Sequence, residues 1–197
     1  MNSILKKWPI IWIVGILMVI ISNGLMLISF ILFPGTFCIY EKTASTLGNV
    51  NVNPNGAIFF RLGNILSGIL TIPFFLGFFK WYNEEKWTRI LLTITIVLGC
   101  AMGVAMIMVG VFSQEYRPYH LICAISFFLL SLLSWIFGGL FLLRHPDSIK
   151  KIGICSLIIA AAHYTLILYL IYDIIIVECV AIFALSIGIL LLVYNFK

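Results

Sequence analysis

The chain has 197 residues, 63% hydrophobic and only 10% charged, with a mean hydropathy of +1.18 and a formal net charge of +5. So much apolar surface cannot be hidden inside one water-soluble core, which excludes a soluble domain and makes lipid the solvent. The excess positive charge falls in short clusters between apolar runs, so it speaks for membrane topology and against a nucleic-acid partner.

Six runs each come close to the ~20 apolar residues that cross the hydrocarbon of a bilayer: 8–33, 57–79, 90–112, 119–143, 152–172 and 174–193. The expected fold is an all-α integral membrane protein, a six-transmembrane-helix bundle forming one membrane domain over 1–197. The opening MNSILKKWPI has the charged start of a signal peptide. The run behind it is too long for a cleaved segment and lacks a small-residue cleavage site, so it reads as a retained helix. Asn23 is a polar group within it.

The connection 34–56 is long and polar and closes on GNVNVNPNG, a series of turn formers. Asn55 is the expected N-cap of the second helix, and the loop is either an exposed turn or a lid. One turn into that helix stands Arg61, followed by Asn64 and Ser67 on the same face, which must turn toward other helices. A charge at the bilayer midplane costs on the order of 2.5–3.5 kcal/mol. Arg61 therefore either reaches the lipid phosphates or pairs with Glu115, Asp173, Glu178 or an anionic headgroup. Pro73 is expected to bend the lower half of the helix. Helix three carries Gly99 and Gly103 at GxxxG spacing, which suits close helix packing and also offers a seam for a homo-oligomer.

The bend 110–120, GVFSQEYRPYH, brings Glu115, Arg117 and His120 together at the tip of a hairpin. A histidine beside a carboxylate can act as acid or base, bind a headgroup or cap a helix. His163 and Tyr164 lie near the middle of helix five, where an unpartnered polar group is costly and should face the bundle. Asn23, Asn64 or a backbone carbonyl is the expected partner of His163. The last two runs are divided only by Asp173 and Glu178, with no Gly or Pro, and one bent helix there would reduce the spans to five.

Lys and Arg set the orientation. With the N-terminus inside, Lys6, Lys7, Lys80, Lys86, Arg89, Arg144, Lys150, Lys151 and Lys197 are cytoplasmic, against Lys42 and Arg117 in outer loops and Arg61 near an outer helix end. Both termini are then cytoplasmic, which needs an even number of spans and favours six. Trp8, Trp81, Tyr82 and Trp87 sit where interfacial anchors belong. The five cysteines are scattered singly and suggest neither a disulfide framework nor a zinc site. His120 and His163 differ too much in depth for a two-histidine haem, and no membrane lysine suits a retinal, so no cofactor or metal is expected.

LGNVNVNPNGAIFF leading into GNILSGIL, and GVFSQEYRPYH followed by an aromatic-rich helix, resemble a prokaryotic six-helix membrane family of unknown function. More distantly, they resemble the DRAM-like (damage-regulated autophagy modulator) and GPI-lipid-remodelling membrane proteins. The likeness covers about a third of the chain. It implies six helices with both signature loops on the outer side, and an association with lipids. Arg61 stands where similar sequences often have a neutral amide, so any role of its charge would be particular to this chain.

The leading functional expectation is a non-enzymatic protein of the cell membrane whose outer-leaflet cavity binds a membrane lipid or other amphiphile, with Arg61, Asn64, Glu115, Arg117 and His120 at its polar end. A lipid-modifying enzyme using Glu115 and His120 is the alternative, although HExxH, GxSxG and Walker signatures are absent from the sequence. A structural or assembly subunit and a small transporter complete the set.

Overall fold

The structure, a computed structural model, describes residues 10–172 and 175–195. Lys6, Lys7, Trp8, Asp173 and Lys197 lie outside the described residues. Among these the fold is all-helical: α1 (Ile10–Ile31), α2 (Ala57–Leu76), α3 (Lys86–Val111), α4 (Tyr119–Arg144), α5 (Lys150–Tyr172) and α6 (Ile176–Asn195). α1 to α4 and α6 are each long and apolar enough, by length and composition, to cross a membrane.

Two boundaries depart from expectation for local reasons. The second helix runs through Pro73, ends at Leu76 and tightens into a 3₁₀ turn over Gly77–Trp81. A proline has no N–H to give to the preceding turn and so weakens the helix near its end. The third helix starts at Lys86 rather than at residue 90, because Glu85 caps it. The Glu85 carboxylate accepts from Trp87 N (3.1 Å) and Thr88 N (2.6 Å). These bonds, with that from the Thr88 hydroxyl foremost, hold the Glu85 carboxyl below its usual pKa.

Each helix packs on the next, and α6 returns to α1, so the six form a closed ring. Close approach needs small residues. A Cβ on Gly68 would meet the Gly103 carbonyl at 2.6 Å, and one on Gly103 would meet the Gly68 carbonyl at 2.8 Å. Gly99 seats the Phe75 ring. The GxxxG pair of helix three is therefore used inside the chain, against α2.

Phe74, Phe78, Phe141, Leu92, Met102 and Leu142 are fully buried between the helices. Ile20, Ile31, Val97, Ile122 and Ile158 are more than half exposed on the outside, a surface that only lipid tails can solvate cheaply.

Ile11 packs on Gly77, and Asn195 Oδ1 accepts from Ile149 N at 2.8 Å. Both described chain ends therefore share one end of the ring with connections 77–85 and 145–149. Around this end stand Lys80, Lys86, Arg89, Arg144, Lys150 and Lys151 against Glu84, Glu85 and Asp147. The opposite, capped end has Lys42, Arg61 and Arg117 against Glu41, Glu115 and Glu178 among the described residues.

Candidate binding site at the capped end

The polar connection between α1 and α2 folds into a plug. Its 3₁₀ turn, Ala44–Gly48, buries Ala44, Ser45 and Leu47 against the helix ends, so the loop is a lid rather than an exposed turn. The residue that fixes it is Asn53, which is fully buried. Asn53 Nδ2 donates to Ser29 O (3.1 Å), Ser29 Oγ (3.1 Å) and Leu47 O (2.9 Å), while its Oδ1 accepts from Gly56 N (3.2 Å). Asn55 is exposed and makes no cap, and the N-cap position of α2 is Gly56. The amide that orders this turn is thus Asn53, two residues before the one expected, and it anchors the lid while α2 has no side-chain cap.

The second signature loop locks onto the first. Gln114 accepts from Asn49 Nδ2 (3.4 Å) and donates to Thr43 Oγ1 (3.2 Å). Arg61 Nε donates to the Gly48 carbonyl (3.1 Å), and its Nη2 forms an ion pair with Glu115. Glu115 also accepts from Ser113 Oγ at 2.8 Å. Of the acids weighed as partners of Arg61, Glu115 is the one paired; Glu178 is engaged by the lid, accepting from Ser45 N at 3.2 Å. Asp173 is outside the described residues.

Beneath the lid lie two adjoining cavities of about 50 Å³ each. On this scale a cavity needs at least about 10–15 Å³ to hold one water. His120, Ala124, Phe128 and Glu178 line both, so the cavities share a wall. The outer one is bordered by Thr43, Ser45, Gln114 and the exposed Arg117. The inner one reaches Asn64, Ser22, Ser186 and a wall that includes Phe60, Met106 and Phe127. A third cavity of about 20 Å³ continues inward past Ser67 and Thr71 and shares Ser22 and Ser186 with the inner one.

Hydrogen bonding fixes what the polar walls present. His120 Nδ1 lies 2.7 Å from the Phe112 carbonyl. A carbonyl only accepts, so Nδ1 carries the proton and Nε2 of the neutral ring is an acceptor. Asn64 Nδ2 donates one proton to the Phe60 carbonyl at 2.9 Å, which leaves its Oδ1 and its second N–H for the cavity.

The candidate residues thus divide. Asn64, Arg117, His120 and Glu178 line the cavities, whereas Arg61 and Glu115 tie the two loops together and line neither. Asn23 joins α1 to α6, its Nδ2 donating to Ser186 Oγ (2.9 Å) and to Val19 O (2.8 Å). His163 is buried and bonds the Ile159 carbonyl through Nδ1 at 2.8 Å, the backbone option among its expected partners. Tyr164, expected to face the bundle as well, is exposed instead, because one residue further on it lies about 100° round the helix from His163. The sequence pointed to Glu178 as an outer acid that could pair with Arg61, and not as a cavity residue. Its signal was an acidic residue in the first turn of an otherwise apolar helix.

A ring of apolar helices with a polar plug over small buried cavities defines a helical multi-pass membrane protein. Residues 13–194 match the family described as protein of unknown function DUF998, and the chain belongs to that family. No curated protein and no solved structure matches it. The more distant likeness to DRAM-like and GPI-lipid-remodelling proteins has no counterpart in these comparisons.

Proposed function

We propose that the chain is a six-span protein of the cell membrane that holds the polar head of an amphiphile, a membrane lipid foremost, in the paired cavities at its capped end. The observation that carries this reading is the shared wall of the two cavities, with Arg117 at the outer rim and His120 and Glu178 between them. Together they have room for a few waters, which suits a small polar head and not an acyl chain. The tail lies outside, against the exposed Leu121 and Ile122 of α4. The basic excess of the end opposite the lid supports cytoplasmic chain ends and an outward-facing lid.

Lipid carried through purification tests the reading. Ala124 lines both cavities, and Ala124→Trp would fill them. Wild-type chain should retain about one lipid per chain, and the variant, if its melting temperature stays close to wild type, should retain none. A wild type that carries no more lipid than an unrelated membrane protein of similar size contradicts the proposal.

A lipid-modifying enzyme is the second reading, favoured by one observation: His120 and Glu178 line the same two cavities. The acid of such a pair is Glu178 in place of Glu115, which is held by Arg61 and Ser113. Release of a head or acyl group from retained lipid by wild type, abolished in Glu178→Gln, is the result this reading requires.

A further inference from the structure

The polar groups of the inner cavity, the Ser22 hydroxyl apart, are rich in acceptors. Two side chains that carry both donors and acceptors spend donors elsewhere: His120 gives its Nδ1 proton to Phe112 O, and Asn64 gives one of its two amide protons to Phe60 O. Ser186 Oγ likewise donates to the Ile182 carbonyl, at 3.2 Å, while accepting from Asn23. The acceptors left for a ligand are an imidazole Nε2, an amide oxygen and the Glu178 carboxylate, on α4, α2 and α6. Among the described residues no lysine or arginine lines this cavity. The cation of the neighbourhood, Arg117, lines the outer cavity instead.

A ligand that satisfies such a cavity brings several N–H donors and a positive charge on a group small enough to enter. A primary ammonium has three N–H bonds, one for each acceptor. An aminoethyl group with its ester oxygen has four heavy atoms, small enough for a cavity with room for a few waters. A phosphate one ester bond further on would lie in the outer cavity, where Arg117 supplies the matching charge.

We propose that the inner cavity is a primary-ammonium site and that the ligand of the capped end is a phospholipid with an aminoethyl phosphate head, its ammonium among Glu178, His120 and Asn64 and its phosphate at Arg117. This rests on the amphiphile reading above and names the head it selects. A trimethylammonium head offers no N–H, is larger, and would leave buried acceptors unsatisfied, an expensive outcome that contact with Phe60, Phe127 and Phe128 does not repair. A glycerol head brings no cation for Glu178.

The full chain, purified in detergent and equilibrated with equal amounts of ethanolamine, choline and glycerol phospholipids of identical acyl chains, provides the test, with retained lipid measured by mass spectrometry. Wild type should enrich the ethanolamine lipid about tenfold over the choline lipid, the scale of one charge-assisted hydrogen bond gained. Glu178→Gln and, independently on another helix, Asn64→Leu should return the ratio to that of the mixture. Arg117→Gln should lower retention of all three lipids while keeping the preference among them. Retention of the three in the proportions supplied overturns the ammonium site and leaves the amphiphile reading standing, whereas retention of none overturns both. Uptake of soluble phosphoethanolamine without lipid would keep the ammonium chemistry and overturn the lipid as its source. A tenfold preference that survives in both cavity variants also overturns the assignment.

Discussion

Arg61 and Glu115, 54 positions apart in sequence, meet as an ion pair that fastens the hairpin between α3 and α4 to the first turn of α2. Their side chains are 23% and 10% exposed, so the pair is largely withdrawn from water. Removing one partner leaves the other charge poorly solvated, which costs more than an exposed salt bridge is worth. Arg61→Ala and Glu115→Ala should each lower stability by about 2 kcal/mol. The double variant should fall short of the sum by about 1 kcal/mol. Thermal unfolding of the four proteins in one detergent checks this, and simple additivity would mean that the two residues act apart.

The Asn53 plug makes a sharper contrast between neighbours. Asn53 is fully buried and makes four hydrogen bonds, whereas Asn55 is exposed. Asn53→Ala should cost about 3 kcal/mol, since Leu47, Ser29 and Gly56 all lose a buried partner. Asn55→Ala should change stability by less than about 0.5 kcal/mol. Protease cleavage within 34–56 gives a second readout, rising in the first variant and unchanged in the second.

Helix packing predicts a similar pair among the glycines. Gly103 touches the Gly68 carbonyl, while nothing lies within 4 Å of a Cβ built on Gly24. Gly103→Val should drive α2 and α3 apart and cost several kcal/mol, on the order of 3. Gly24→Ala should leave the melting temperature unchanged or raise it. If Gly103→Val instead left stability intact and abolished self-association, the GxxxG seam would be an interface between copies.

At the basic end, His145 supplies a pH dependence. Its ring stacks on Trp81, with centroids 5.2 Å apart and planes at 16°, and its Nδ1 accepts from Asp147 N at 3.3 Å. Burial lowers its pKa from the ordinary 6.5, a stronger effect than the opposing pull of Asp147 and of the Trp81 backbone. A histidine with a lowered folded-state pKa binds protons more readily when unfolded. Its contribution is therefore complete above pH 6.5 and is lost as the pH falls through the window below that value. The melting temperature should drop on acidification from pH 7.5 toward 5, and less steeply in His145→Gln. A drop of equal slope in the variant would assign the effect to other groups.

How much of this was legible depends on the range of the interactions. The helices were readable because crossing a membrane imposes a local rule: the runs expected at 57–79 and 119–143 correspond to α2 with its 3₁₀ tail and to α4. Where boundaries moved, a single side chain moved them, as Glu85 did by capping α3. The meeting of the two loops was suggested by charge, since Arg61 needed a partner and Glu115 was among three acids considered. The choice of Glu115, and the turn of Asn53 into the plug, depend on contacts between distant segments that hydropathy does not encode. Glu178 is the clearest case. Its partner Ser45 is 133 residues away, and its place on the cavity wall depends on α6 closing the ring against α1.

The account turns on whether the capped end holds an amphiphile's head, and an experimental structure of the full chain in bilayer discs containing ethanolamine phospholipid measures this most directly. The result expected is head-shaped density running from Arg117 to Glu178, with acyl chains leaving along the outside of α4. Cavities that contain only ordered water, beneath a seated lid and with no lipid at Arg117, would contradict it.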